Sequence, residues 1–479
     1  MRRELLELPL FLSYLFFLLI APNVAFSSEG LYPSNNFAST TGAEVTSHEL
    51  PILTLQEGLK IVTQEARLLK IATLNEEIAR SEVSLARSRL LPSINAYGRH
   101  IFLAYQPGAR FGPQEVYTSE RSFLSYGINL YQTIYDFGGD ISLYNASKKA
   151  VSITENETRR IRNLISLEFT KAYLDLLEIE KLINVSEREV ESLEAHLKDT
   201  IALFEEGMST KNERLEIEVR LSDARQRLLS LKNQRSLYVS RINSLLLKPL
   251  DADFRTEEVE IIERGQECLV TDTSSSLSPQ SSAFCFDLSS AYEIAEELRP
   301  EIKAIDNEIE VLRLREKAKA GEYYPRLFLQ ASYEYTENRY MLHEDNWSLV
   351  FGLNVNLFSG GSTSSEIARL RAQQMQLLEE RKRVVDDIRL EVKRYFVELK
   401  NAVERLDVTQ KAISQAEENL RINKIRFEEG VGKSTDVLDA IALLSLAETN
   451  YYRAKYEYLR AKAGLLYSLG KDIATEFGE

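Results

Sequence analysis

Two periods alternate along this chain. From Leu167 to Leu197, and again from Leu390 to Leu420, apolar residues recur every seventh position. One seam reads Phe169, Leu176, Ile183, Val190, Leu197 and Phe204; the other reads Val392, Leu399, Leu406, Ile413, Leu420 and Phe427. A seven-residue period keeps one stripe turned towards a partner along a supercoiled helix. Gln410, Glu417 and Lys424 interrupt the companion stripe, which predicts half-wet helices packed edge-on into a larger wall. Neither Gly nor Pro occurs from Asp140 to Glu206 or from Ser362 to Glu429. At about 1.5 Å per residue each run predicts a helix roughly 100 Å long. Returning helices are expected from Thr210 to Lys248 and from Ser434 to Leu469, the second interrupted at Gly464.

Between Pro92 and Asp140, and between Pro325 and Ser362, the period falls to two. Trp347, Leu349, Phe351, Leu353, Val355 and Leu357 alternate with Ser348, Val350, Gly352, Asn354 and Asn356. Leu327, Leu329, Ala331, Tyr333 and Tyr335 alternate with Phe328, Gln330, Ser332 and Glu334, and Leu124, Tyr126, Ile128 and Leu130 with Ser125, Gly127, Asn129 and Tyr131. About ten residues of such alternation fit a membrane β-barrel strand, or a soluble sheet with one wet face. Tyr97, Phe102, Tyr105, Phe123, Tyr126, Tyr335, Tyr340 and Trp347 near the strand ends resemble interfacial girdles and favour the membrane. The expected strands are 93–101, with Gly98 and His100 on its nominal lipid face, 122–135, 326–335 and 347–358.

The two stretches repeat one plan of helix, two strands, long helix and returning helix. Leu167–Leu197 aligns with Leu390–Leu420 at a constant offset of 223. The expected organisation is a first repeat over 51–250, a linker or insertion over 251–285, a second repeat over 286–471 and a short tail over 472–479. Four strands cannot close a barrel whose smallest form has about eight, and lipid does not tolerate open edges. Spanning strands would therefore require several copies of the chain.

Composition narrows the function class. The 479 residues carry a net charge of −14, which argues against nucleic acid as a partner. Four scattered histidines show no metal-ligand spacing, and no phosphate loop or nucleophile elbow appears, so neither an enzyme nor a cofactor site is expected. Arg2 and Arg3, the apolar run Leu8–Ile20 and the small residues around Ser27 read as a signal peptide over 1–27, or as a short anchor helix. Residues 28–50 would follow as an N-terminal extension. Cys268 and Cys285 stand in the linker, either bridged or as two free thiols.

Across residues 51 to 471 the sequence resembles the TolC family of outer membrane factors. The resemblance rests on Phe427-Glu428-Glu429-Gly430, on Ser434 to Ala440, and on Leu466-Tyr467-Ser468-Leu469-Gly470. The first half holds the degenerate copy Phe204-Glu205-Glu206-Gly207 with Glu213 to Glu216. The strand exits Ile134 to Gly139 and Leu357 to Gly361, and the prolines Pro92 and Pro325, complete the order. The resemblance implies a homotrimer with four strands per chain in a shared barrel in outer membrane lipid, and a long α-helical tunnel in the periplasm. It also implies a periplasmic adaptor and an inner-membrane pump or ABC exporter as partners.

On that plan Gly207 and Gly430 end long helices, Ser434 or Thr435 caps the next one, and Asp436 and Asp439 fall in its first turn. The resemblance makes those aspartates an acidic periplasmic gate, and the exposed turns Gly207-Met208 and Gly430-Val431 the adaptor contact. Where the family often places a locking tyrosine and arginine, this chain has Phe427 and Gly432, with Lys433 adjacent. A Lys433–Glu213 pair is the expected substitute. The competing class is a structural or adhesive envelope coiled coil, which explains the heptads but not the paired strands.

Overall fold

The computed structural model describes residues 51–259 and 287–476. The signal peptide, the extension over 28–50, most of the linker and both cysteines lie outside the described residues.

The longest helices follow from the runs without Gly or Pro. Helix α3 spans Gly139–Glu205 and α7 spans Ser362–Glu428, each 67 residues long. The returning helices α4, Lys211–Leu245, and α8, Ser434–Ser468, are each 35 residues long. Start and end of each member of a pair differ by the same offset that aligns the seams. Gly464 does not interrupt α8; a Cβ there would stand 2.2 Å from Cε1 of Tyr395, so its role is close packing against α7.

Each half opens with two shorter helices where one was expected. These are α1, Leu55–Glu65, and α2, Arg67–Ser88, then α5, Leu288–Leu298, and α6, Pro300–Ala320. In the second half Pro300 excludes Arg299 from the helical region. In the first, Ala66 adopts a similar extended backbone without a proline, its side chain buried in the core. Thr54 caps α1 through a reciprocal pair of bonds with Glu57, of 3.1 and 3.5 Å.

Two tiers of helices make a wall. Near the sheet α3 packs on α2 and α6, and further along it packs on α4 and α8; α7 packs on α6 and then on α8. Where the tiers meet lies the main apolar core, holding Phe169, Tyr173, Leu176, Val392, Leu399 and Tyr456. The two-residue strands β1, Ile52–Leu53, and β6, Arg255–Thr256, pair there in parallel. The Tyr173 hydroxyl stands 2.8 Å from the carbonyl oxygens of Leu53 and Glu257 and accepts the Glu257 N–H at 3.0 Å. Arg299, buried at the junction of α5 and α6, donates to the Tyr467 carbonyl at 3.0 Å and to Glu391 at 2.9 Å, and a short helix α9 (Ile473–Glu476) follows α8.

The sheet has four antiparallel strands in the order β2, Ser93–Phe102; β5, Ser122–Tyr135; β7, Arg326–Thr336; and β8, Asp345–Asn354. Strand β8 starts two residues earlier than the alternation suggested and stops at Asn354, leaving Val355 and Leu357 beyond it. The alternation also missed a hairpin, β3 (Gly108–Phe111) and β4 (Gln114–Tyr117), whose turn places Gly112 at φ 61. Its strands are four residues each, too short to display a period.

Candidate channel faces and tip turns

Cross-strand register decides which residues share a face. Ile94, Leu130, Ala331 and Leu349 stand in one row, and Ala96, Ile128, Tyr333 and Trp347 in the next. The opposite face carries the row Asn95, Asn129, Ser332 and Ser348, with the Ser332 and Ser348 hydroxyls 2.7 Å apart. One face is thus a band of exposed apolar side chains and the other is largely polar. Gly98 and His100 do lie on the apolar face; His100 Nε2 meets the Ser122 hydroxyl at 2.8 Å and its ring rests on Phe102. The girdle reading needs a correction. Tyr97 and Phe123 fall on the polar face: Phe123 is in step with Ser125 and Asn129, and Tyr97 pairs with Gly127, where a Cβ would stand 2.9 Å from the Tyr97 hydroxyl.

Both ends of the sheet are open, β2 on one side and β8 on the other. The helical tiers are open in the same way, one running α2, α3, α6, α7 and the other α4, α3, α8, α7. Those edge helices expose apolar rows: Leu68, Ile71, Leu74 and Ile78 on α2; Val219, Leu229 and Leu237 on α4; Leu390, Val408 and Ile422 on α7. Each margin of the wall thus carries an apolar row that the single chain leaves uncovered.

At the end of the wall away from the sheet, two turns join long to returning helices. Gly207 at φ 76 and Gly430 at φ 73 terminate α3 and α7. The Met208 N–H reaches back to the Leu203 carbonyl at 2.8 Å, and the Val431 N–H to that of Arg426 at 2.9 Å. Both are Schellman closures, which need a left-handed residue that glycine adopts at least cost. Met208 and Val431 project from these turns, 69% and 71% exposed.

The helix starts beyond the turns differ from expectation. Thr210 caps α4, its hydroxyl accepting the Glu213 N–H at 3.3 Å. The Glu213 carboxylate accepts the Ser209 hydroxyl at 2.6 Å and the Thr210 N–H at 3.1 Å, and these bonds hold its pKa below the ordinary value. Glu213 is therefore engaged with its own cap, and no Lys433–Glu213 ion pair forms among the described residues. For α8 the capping position is Lys433, not Ser434 or Thr435; the Asp436 carboxylate reaches the Lys433 N–H at 3.5 Å. Asp436 is half-buried and Asp439, one turn on, is exposed.

Ser434 is drawn elsewhere. Its hydroxyl meets Nε2 of His196 at 2.9 Å, and the imidazole packs edge-on against Phe427 with centroids 4.9 Å apart. His196 thus ties α3 to the end of α7 and the start of α8 directly behind the tips. Burial pushes its pKa down, with the Lys424 charge acting in the same direction and the Ser434 hydrogen bond and Asp199 opposing. Metal-ligand spacing does not single out this histidine. Its place beside Leu193 and Leu197 on the inner side of the helix was the available signal.

Comparison with known proteins matches this geometry. The family model described as outer membrane efflux protein matches residues 59–246 and 291–471. Alkaline protease secretion protein AprF of Pseudomonas aeruginosa is 22% identical over 427 residues, covering 87% of this chain and 84% of its own. Outer membrane protein TolC of Vibrio cholerae is 23% identical over 418 residues, covering 85% and 88%. The structure of the outer membrane protein VceC from Vibrio cholerae superposes with a TM-score of 0.72 at 15% identity, over 87% of this chain and 96% of that one. A wall of long helices carried on a sheet with one apolar face, and a family match over most of the sequence, lead to one assignment: this chain belongs to the outer membrane efflux protein family, and is a channel protein of the outer membrane extending into the periplasm rather than an enzyme.

Proposed function

We propose that three copies of this chain close into one duct from periplasm to exterior, serving a tripartite efflux pump or a type I secretion system. The observation that carries the reading is the doubly open four-stranded sheet with a single apolar face. Lipid requires that such edges be satisfied, and three copies supply twelve strands, above the roughly eight needed for closure. The apolar rows on α2, α4 and α7 would then be buried between neighbours. The equal lengths of α3 and α7, and of α4 and α8, support an internally duplicated chain.

In this assembly the tip turns converge on the axis. Asp436 and Asp439 of each copy form an acidic ring that favours cations and disfavours anions in a constriction. Glu213 holds the neighbouring turn in shape through its cap, and Lys433 supplies positive charge beside the ring. Acids in a first turn also meet the helix dipole favourably, so the pore role needs its own test. Replacing Asp436 and Asp439 by Asn should lower cation selectivity and weaken block by multivalent cations in planar bilayers. Lys433→Ala should instead raise the open fraction. Wild-type selectivity and block in the double Asn variant would reduce the aspartates to helix-start residues. An adaptor would dock at Gly207-Met208 and Gly430-Val431, with the inner-membrane pump or exporter behind it.

A further inference from the structure

Where strands turn into helices, a cavity of about 540 Å³ opens between the ends of α2 and α6 and the starts of α3 and α7. Its floor includes Gly139, Leu143, Ala318 and Leu370. Five cationic side chains line it, and two of them are already paired: Lys319 with Glu322 at 2.7 Å, and Arg369 with Glu366 at 2.5 Å. The other three, Arg89, Arg315 and Arg326, have no carboxylate at ion-pair distance among the described residues. Of the lining carboxylates only Asp140 stands outside those two pairs, and Arg89 and Arg326 influence it through space without a direct bond. Its ionisation is opposed first by burial and then by the adjacent Asp136.

We propose that this cavity is a binding site for a phosphoryl dianion. The lining sets five cations against Asp140, Glu322 and Glu366, an excess of about two positive charges that the neighbouring Asp136 partly offsets, and a phosphoryl group offers up to two negative charges. The planar donor fork of arginine also suits phosphate oxygens better than a point charge does. The face on which the site opens bears on the source of the anion. Arg326 pairs in register with Asn354, on the face that carries Gln330, Ser332 and Ser348. That is the polar face, so the site favours a solute in the duct over a lipid headgroup on the apolar side. This part rests on the duct reading above, in which three copies repeat the site around the axis at the entry to the barrel. The duct would then carry opposite charge at its two ends, acidic at the tips and basic beneath the barrel.

The test uses the full-length protein in nanodiscs and inorganic phosphate as the probe, followed by phosphorus-31 line broadening. Wild-type protein should bind phosphate, and Arg89→Gln, Arg315→Gln and Arg326→Gln should each weaken binding by about tenfold. Arg87→Gln, close by on α2 but outside the cavity, should change nothing, and circular dichroism checks that each variant keeps its helices. Discs of phosphatidylcholine with and without phosphatidic acid, whose phosphomonoester headgroup is a lipid-borne phosphoryl dianion, identify the source. Unchanged phosphate affinity in both assigns the site to a solute, whereas competition by phosphatidic acid assigns the same site to a headgroup. Absence of binding to wild type, or equal binding by the glutamine variants, overturns the proposal. Because the readout needs no current, a protein that binds phosphate but conducts nothing would remove the duct reading and leave the site standing.

Discussion

His196 shows how much a single side chain can decide at the tips. A free imidazole titrates near 6.5, and burial holds this one lower, so the folded protein resists protonation where the unfolded chain accepts it. The sign follows from linkage: its contribution to stability is complete above about pH 6.5 and is lost as pH falls through the lowered folded value. The groups facing it are Ser434 and Asp199, which favour the proton, and Lys424, which opposes it. We expect amides of the tip turns to lose hydrogen-exchange protection between pH 7 and 5, after correction for intrinsic rates, and His196→Gln to flatten that dependence. Equal slopes in the two proteins would show that the imidazole does not govern the turns. Glu213 acts in the same direction in a lower window, since its pKa is depressed below 4.5 by Ser209 and Thr210. Its contribution fades only as the solution becomes strongly acidic.

At the scale of elements, the heptad seam is buried unevenly. Leu399 is 2% exposed in the main core, Leu406 is half-buried, and Phe204 near the tip is 37% exposed. Cavity formation costs most where the surroundings cannot collapse. Leu399→Ala should therefore lose about 2–5 kcal/mol of stability, and Leu406→Ala clearly less. Chemical denaturation of the two variants checks the order, and a larger loss at Leu406 would mean that the chain alone misjudges the seam. The strands make a sharper prediction. Cysteines at Ser348, Val350 and Asn354 should react with a polar thiol reagent in membranes, and those at Leu349, Phe351 and Leu353 should not. Uniform labelling along β8 would be incompatible with one lipid-facing side.

At the scale of the whole molecule, apolar surface stays uncovered at the tips as well as on the sheet. Met208 and Val431 are apolar, exposed and presented on rigid Schellman turns, which suits capture by a partner. Photocrosslinkers at these two positions should trap the adaptor in intact cells, whereas probes on the apolar sheet face should not. Capture from the sheet face alone would relocate the adaptor contact.

Much of this architecture was legible along the chain because its periods are long and its breakers few. Gly- and Pro-free runs set the helices almost to the residue, Pro92 and Pro325 marked the strand starts, and alternation separated the two faces of the sheet. Local sequence could not disclose what depends on segments distant in the chain. The break at Ala66, the tolerance of Gly464, the recruitment of Ser434 by His196 and the turning of Tyr97 over Gly127 all arise from packing partners far away. The cluster of Arg89, Arg315 and Arg326 is of the same kind: it draws on three separate segments and exists only once β7 and the helices are folded together. Periodicity determines which face of an element is apolar, because that is a property of consecutive residues. Which face meets which, and what charge is left without a partner, is a property of space, and only the tertiary structure decided it.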